Sequence, residues 1–253
     1  MAKTIRKFSP NTYAELAEQP ITPEEIQAVL QKGGRNKAPG SDGVGLEFYT
    51  TNWKIIKEDI VEILNQMFLQ RCIALQQKHG IIICLPESNA VQTPEGYRAI
   101  ALLNSDYKLL ARILANRLRP VLVERLRPNQ LCSVQGNSII EAVTIVREAV
   151  AHAEVTDTPL YVLTLDFRGA FDRIAHDYLF TILKSYVCPW FIDRIKDFYE
   201  NATASIQING KVAGHIRIQC AIRQGCPLSM LLYALCLHPL LRMLENKLPG
   251  IKI

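Results

Sequence analysis

Two aspartates, Asp166 and Asp172, stand six positions apart in the segment LTLDFRGAFDRIAH at 163–176. The overlapping stretch PLYVLTLDF at 159–167 is almost entirely apolar up to Asp166, which predicts a strand covered on both faces. A carboxylate directly after such a strand can hold a divalent metal against phosphate oxygens. It can also be a helix cap or a turn residue, and Asp166 alone does not decide between these roles.

Three kinds of protein are considered for an aspartate in this position, and each requires a different set of accompanying residues. A haloacid-type phosphatase needs a second aspartate two positions later, where this chain has Arg168. A nucleotide-binding P-loop needs GxxxxGK[ST], and the sequence does not contain that pattern. A polymerase palm needs the aspartate itself, as a ligand of divalent metals. The decision depends on the other segments of the chain.

The composition bounds the class of protein. The 253 residues suffice for one large domain or two small ones, and 49% of them are apolar, so a core can form. No apolar run approaches the roughly 18 residues of a membrane span, and the basic N-terminus does not resemble a secretory signal. Seven scattered cysteines without a CxxC pair predict reduced thiols in a nuclear or cytoplasmic protein, and no membrane partner is expected. The net charge of +5 permits a nucleic-acid partner.

Apolar periodicity predicts an α+β fold in which helices back an antiparallel sheet. Thr22, Glu25 and Gly33 mark the cap, capping box and end of a helix at 21–33. Further helices are predicted at 53–70, 106–122, 138–154 and 176–187, and after the loop that begins at 222. The segments 80–86 and 97–103 read as antiparallel strands, and 204–220 as a hairpin around Asn209-Gly210.

Five segments, in order and spacing, resemble the reverse transcriptases of non-LTR (LINE-type) retrotransposons. Three are similar to that family's upstream segments: KAPGSDGVGLEFY at 37–49, YRAIALLNSDYKLLARILANRL at 97–118 and NQLCSVQGNSIIEAV at 129–143. Two are similar to its motifs A and B: LDFRGAFD at 165–172 and RQGCPLS at 223–229. The resemblance implies the reverse-transcriptase fingers and an incomplete palm of a right-hand polymerase. It implies an N-terminal extension at 1–20, fingers with fingers–palm helices at 21–158 and a partial palm at 159–253.

The family resemblance also implies a reaction, which is RNA-directed DNA synthesis. Its partners would be an RNA template, a DNA primer and deoxynucleotide triphosphates, and its cofactor Mg²⁺. Asp166 would be the catalytic metal ligand of motif A, with the backbone carbonyl of Phe167 as a second oxygen. Asp172 is expected to begin a helix rather than bind metal. The competing role for Asp166 is a capping residue.

Four residues are implied to touch the incoming nucleotide: Arg98, Phe171, Gln224 and Gly225. Arg98 would grip the triphosphate, and Phe171 would exclude a ribose 2′-hydroxyl. The alternatives are a solvated arginine, a core phenylalanine and an ordinary loop. Candidate contacts to template–primer phosphates, each with a solvated charge as its alternative, are Lys37, Lys108, Arg112, Arg117 and Arg119.

The sequence also departs from the family pattern. No Asp-Asp pair occurs, so the family's second carboxylate source, an [FY]-A-D-D hairpin, is missing from these residues. Glu87, Asn137 and Gly169 stand where the family has basic residues. These departures predict a truncated reverse transcriptase without activity of its own, and self-association through an unpaired sheet edge at 159–167. The rival hypotheses are a non-catalytic nucleic-acid-binding fragment and a fossil reading frame without function.

Overall fold

The computed structural model describes residues 18–34, 37–86, 93, 96–126, 130–131 and 138–248. In these ranges the chain forms eight helices and four strands. The helices are α1 (Pro23–Lys32), α2 (Leu46–Leu69), α3 (Leu75–Lys78), α4 (Ser105–Arg125), α5 (Ile139–Thr156), α6 (His176–Leu183), α7 (Pro189–Tyr199) and α8 (Ser229–Lys247). The strands are β1 (Gly80–Pro86), β2 (Tyr97–Leu102), β3 (Thr203–Ile208) and β4 (Lys211–Arg217).

The four strands form one mixed sheet in the order β2-β1-β3-β4. The predicted antiparallel pairs β1–β2 and β3–β4 are confirmed, and so is the α+β class. The sheet is not purely antiparallel, because β1 lies parallel to β3 with Gly80 opposite Ala204. This pair joins strands from both sides of residue 158, so the division of the chain at that residue stays a proposal.

The turn between β3 and β4 is the one predicted at Asn209-Gly210. Asn209 has a φ of 50° and Gly210 a φ of 77°. Two successive residues in the left-handed region match a two-residue hairpin turn whose twist suits the flanking strands. The turn therefore sets the register, in which Ile208 lies opposite Lys211.

The start of α1 shows why its sequence signal was reliable. The Glu25 amide donates to Thr22 Oγ1 at 3.3 Å, and the Thr22 amide donates to the Glu25 carboxylate at 3.1 Å. This reciprocal capping box satisfies two amides that have no partner inside the helix. By contrast, α2 begins at Leu46 and not at residue 53, where the sequence predicted its start. The prediction was wrong because no side chain caps the first turn, so the sequence carries no local signal for this start. No helix in the described ranges is long and apolar enough to cross a membrane.

Helix α4 supplies the centre of the core. The apolar residues that recur at helical spacing along it are all buried, namely Leu109, Leu110, Ile113, Leu114 and Leu118. Burying each of these side chains stabilises the fold by about 1.5–3 kcal/mol before entropy is counted. The corresponding apolar face of α2 is only partly buried, since Leu64 and Met67 are covered but Ile63 is 42% exposed.

The segment 159–167 is not the buried strand that its composition predicts. It forms no strand, and Tyr161 and Leu163 are 92% and 74% exposed. Apolar composition reports a preference for burial, whereas a strand also needs a neighbour to pair with its backbone. In the described part of the chain β1 pairs with β2 and β3, and neither partner is this segment. The prediction of a strand there was therefore wrong for this structure.

Candidate functional site

A cleft of about 460 Å³ lies where the edge strand β2 meets the loops that precede α2 and α8. We call it the β2 cleft. The predicted site residues Lys37, Lys108, Arg112 and Gly225 all line it, although they come from three distant parts of the sequence. Ile100 and Ala101 of β2 and Ala38 of the loop before α2 also line it. The fold therefore assembles separate sequence motifs around one surface.

The loop before α8 is fixed to the wall of this cleft through its backbone. The Ala101 amide donates to the Gln224 carbonyl oxygen at 2.8 Å. Gly225 has a φ of 107°, and a Cβ atom there would overlap the carbonyl oxygen of Ala101. Glycine is therefore required at this position by its approach to β2. The contact of Gln224 and Gly225 with an incoming nucleotide stays a prediction.

Basic side chains from α4 face the β2 cleft. Lys108 Nζ donates to the Ala38 carbonyl oxygen at 3.3 Å, while Arg112 is exposed. Burial lowers the pKa of Lys108, with Asp42 opposing that effect and Arg112 adding to it. Ammonium and guanidinium groups are thus held close together on one wall. Such a surface attracts phosphate groups.

Arg117 and Arg119 lie on the same helix but in different environments. Arg117 Nη2 lies 2.7 Å from Glu25 Oε2, and its Nη1 donates to the Gln19 carbonyl oxygen at 2.6 Å. Its side chain is 9% exposed and its guanidinium lies 5.0 Å from the centre of the Phe68 ring. These contacts join α4 to α1 and do not present Arg117 to a phosphate. Arg119 is exposed and donates to an asparagine side chain on its own helix at 2.8 Å.

The carboxylate predicted to bind metal lies on an exposed segment. Asp166 is exposed, and Phe167 beside it is 47% exposed. Across the described ranges, no three or more histidine, cysteine, aspartate or glutamate side chains cluster to hold a metal ion. One exposed carboxylate still fits Mg²⁺, which prefers oxygen ligands and keeps water and substrate phosphates in its shell. Asp172 lies in the following turn, where its amide donates to the Gly169 carbonyl and burial raises its pKa.

Two further residues, Phe171 and Arg98, were predicted to touch the nucleotide; Phe171 packs against another ring and Arg98 is exposed. The ring of Phe171 stacks on Tyr233 of α8 with a centroid distance of 4.7 Å, so the packing alternative has direct support. Its carbonyl oxygen also accepts a hydrogen bond from the Ile222 amide at 2.8 Å. Arg98 is exposed on β2, two residues before the cleft wall begins at Ile100. Their contacts with a nucleotide stay predictions.

Sequence reasoning missed a buried arginine in the loop before α8. Arg223 is 6% exposed and its guanidinium carbon lies 5.7 Å from the centre of the Tyr107 ring. Arginine is rarely buried, so residue type alone pointed to the surface. The only signal in the sequence was its position directly before Gln224.

A family model described as "Reverse transcriptase (RNA-dependent DNA polymerase)" matches residues 77–253, which is more than half of the chain. This chain therefore belongs to the reverse transcriptase family. The family implies a nucleic-acid template and primer, deoxynucleotide substrates and a divalent metal.

Its relatives include retrotransposon proteins, which confirms the resemblance to non-LTR elements. The chain is 33% identical over 238 residues to "Transposon TX1 uncharacterized 149 kDa protein" of Xenopus laevis, covering 94% of this chain and 18% of that protein. It is 26% identical over 239 residues to "Probable RNA-directed DNA polymerase from transposon BS" of Drosophila melanogaster, covering 92% and 26%. The chain thus spans about a fifth to a quarter of these relatives.

A solved structure, "Partial Cas6-RT-Cas1--Cas2 complex", also resembles this fold. The TM-score is 0.43 at 16% identity, and the match covers 98% of this chain and 38% of that one.

Proposed function

We propose that this reverse-transcriptase segment binds the template–primer and the incoming nucleotide through the β2 cleft. The observation that carries the proposal is the convergence of Lys37, Lys108 and Arg112 on the Gln224-Gly225 loop. Positive side chains attract the phosphates of a nucleic-acid strand, and exchange of phosphate-bound counterions makes such binding salt-dependent. Because Gly225 has no side chain, the backbone of this loop can lie directly against β2 and form part of the wall of the cleft.

Within this proposal, Asp166 and the Phe167 carbonyl supply oxygen ligands to Mg²⁺. In a site with its full set of ligands, such a metal would stabilise the attacking and leaving oxygens of nucleotide addition. Arg98 would hold the triphosphate, and Phe171 would limit the space beneath the sugar. The same proposal keeps the segment 1–20 as an extension, 21–158 as fingers with fingers–palm helices and 159–253 as palm.

Charge reversal on the wall of the cleft tests its role. The measurement is fluorescence anisotropy of a labelled RNA–DNA hybrid across a salt series, with Lys108→Glu and Arg112→Glu compared with the parent chain. Each reversal is expected to weaken binding and to reduce the slope of log K against log salt by about 1 for each phosphate that the variant no longer neutralises.

Lys54→Glu is the matched control, because Lys54 is an exposed lysine on α2 that does not line the cleft. The control makes the same change of net charge and is expected to have a smaller effect. Equal losses of affinity in the cleft variants and in Lys54→Glu would show that only overall charge matters, and the proposal would then be wrong.

A further inference from the structure

A second open cavity, of about 690 Å³, lies against the β3–β4 half of the sheet. We call it the histidine pocket. The residues that line it and carry the argument are His79, Thr203, His215 and Arg217. None of its lining residues lines the β2 cleft, and β2 and β4 form opposite edges of the sheet. The two cavities are therefore separate sites.

Side chains from different segments are held together in the histidine pocket. The imidazole rings of His79 and His215 are stacked, with centroids 5.4 Å apart and planes 7° from parallel. His79 Nδ1 lies 2.9 Å from Thr203 Oγ1, and Arg217 Nη2 donates to Asn201 Oδ1 at 3.0 Å. These contacts place two imidazoles and a guanidinium around one opening before any ligand binds.

The ionisable side chains that line the pocket are His79, His215 and Arg217. None of the residues that line it is acidic. On the neighbouring helix α7, Asp197 is paired with Lys78 at 2.7 Å. Directly after that helix, Glu200 pairs with Arg71 at 3.5 Å. The local carboxylates thus already have cationic partners.

Protonation of His79 is opposed by burial and by two neighbouring basic groups. Burial lowers the pKa of His79, and the positive charges of His215 and Arg223 lower it further. Arg217 on β4 lines the same pocket, whereas Lys78 on α3 is paired with Asp197. An anion in the pocket would reverse this balance, because it stabilises each protonated ring.

We propose that the histidine pocket binds a phosphate group of single-stranded RNA and that binding adds protons to the two imidazoles. This inference rests on the proposed function only in taking nucleic acid as the source of the phosphate. Because the bound phosphate favours the imidazolium form, affinity must rise as pH falls through the range where histidine titrates. Each proton taken up on binding gives at most about a tenfold gain in affinity per pH unit.

A labelled oligouridine, measured by anisotropy at about pH 8 and about pH 6, tests the proposal. The parent chain is expected to bind roughly fivefold or more tightly at the lower pH, as uptake of one proton allows. His215→Gln should remove most of that gain, and because His215 is exposed on an edge strand its replacement leaves the fold intact. His152→Gln is the matched control, since His152 is exposed on α5 and remote in sequence from the pocket.

The same experiment separates this site from the β2 cleft. Lys108→Glu should weaken binding at both pH values and leave the ratio between them unchanged. If Lys108→Glu leaves binding of the RNA–DNA hybrid unchanged but His215→Gln removes the pH gain with the oligouridine, the cleft proposal fails and the histidine pocket stands. If His215→Gln and His152→Gln change the ratio equally, the histidine pocket is overturned.

A second measurement reads the imidazoles directly. Proton NMR titration of the histidine ring signals, with and without the oligouridine, should show a higher pKa for His79 when RNA is present, and the ring signals of His215 should change as well. The ring signals of His152 should not respond to RNA. Inorganic phosphate as a further probe distinguishes the source: a rise with phosphate but none with RNA would overturn the nucleic-acid assignment. Absence of any rise with either probe would overturn the site itself.

Discussion

The amide of Ala101 and the carbonyl oxygen of Gln224, 2.8 Å apart, join the edge strand β2 to the loop that begins α8. An edge strand has unpaired backbone groups on its outer side, and here the loop satisfies one of them. The bond brings the upstream YRAIALL segment against the motif B loop, although more than a hundred residues separate them. The β2 cleft therefore depends on the position of this loop as much as on its own charged walls.

Replacement of Gly225 tests that dependence. Gly225→Ala is expected to destabilise the fold by about 3 kcal/mol, because the left-handed backbone and the overlap with Ala101 act together. Gly210→Ala is the control, since Gly210 also has a positive φ of 77° but nothing lies within 4 Å of the added carbon. Urea unfolding should give about 1 kcal/mol for Gly210→Ala. Equal losses of stability for the two variants would contradict the close approach.

The buried ion pair between α3 and α7 should control stability rather than binding. Lys78 Nζ and Asp197 Oδ1 are 2.7 Å apart, and each side chain is 7% exposed. Asp197→Ala leaves a buried ammonium without its carboxylate and is expected to cost about 3–5 kcal/mol. The exposed pair of Asp193 with Lys196, each side chain 40% exposed, is the comparison.

Asp193→Ala should change the unfolding free energy by no more than about 1 kcal/mol. Both variants can be measured by urea unfolding at neutral pH. A small effect of Asp197→Ala, similar to that of Asp193→Ala, would mean that Lys78 reaches water when its partner is removed.

Arg117 offers a test of packing against phosphate binding. Arg117→Ala should lower the unfolding free energy by about 1–3 kcal/mol, because its charge-assisted bonds to Glu25 and Gln19 are removed. The salt dependence of RNA–DNA binding by the folded variant should match that of the parent chain. Arg119→Ala, on the exposed side of the same helix, should change stability by less than about 0.5 kcal/mol. A changed salt slope with unchanged stability in Arg117→Ala would restore the phosphate role.

Structural features that depend only on residues close together in the sequence were predicted correctly from it. The capping box of Thr22 and Glu25 and the Asn209-Gly210 turn each depend on residues within a few positions, and both formed as predicted. The stripe of α4 was also readable, because its helical period reports one buried face.

Nonlocal features could not be predicted in the same way. The parallel pairing of β1 with β3 brings together residues 80 and 204, and no pattern within either strand encodes the other. The exposed state of 159–167 likewise depends on which backbone lies beside it, not on its own composition. At the candidate site, motif resemblance predicted roles for Lys108 and Gly225, which both line the β2 cleft, but only the structure showed that Arg117 is engaged by Glu25.

Exposed apolar residues on α5 and in 159–167 predict self-association of this chain. Ile139 and Ile140 are 82% and 72% exposed, and Tyr161 and Leu163 are 92% and 74% exposed. Apolar surface of this extent favours association in water. Size-exclusion chromatography with light scattering should show species larger than a monomer.

The double variant Tyr161→Lys with Leu163→Lys should shift the population toward monomer. Ile55→Lys is the control, because Ile55 is 83% exposed on α2, outside both exposed segments. A monodisperse monomer for the parent chain would contradict the prediction. Equal shifts in Ile55→Lys and in the double variant would locate the association elsewhere.

Primer extension tests whether these 253 residues polymerise on their own. Nucleotide addition uses two metal ions about 3.5–4 Å apart, which need several oxygen ligands held in place together. The sequence contains no Asp-Asp pair, and Asp166 is exposed on a segment without strand partners among the described residues. We therefore expect no template-dependent incorporation on poly-rA/oligo-dT with either Mg²⁺ or Mn²⁺.

Asp166→Asn decides whether any incorporation seen in that assay belongs to this chain. Traces of a contaminating polymerase would persist in the variant, because the substitution does not touch the contaminant. Incorporation by the parent chain that Asp166→Asn abolishes would contradict the prediction and would identify Asp166 as a metal ligand in a working site. The substitution removes one negative charge from an exposed position, so stability should change by less than about 0.5 kcal/mol and cannot account for such a loss.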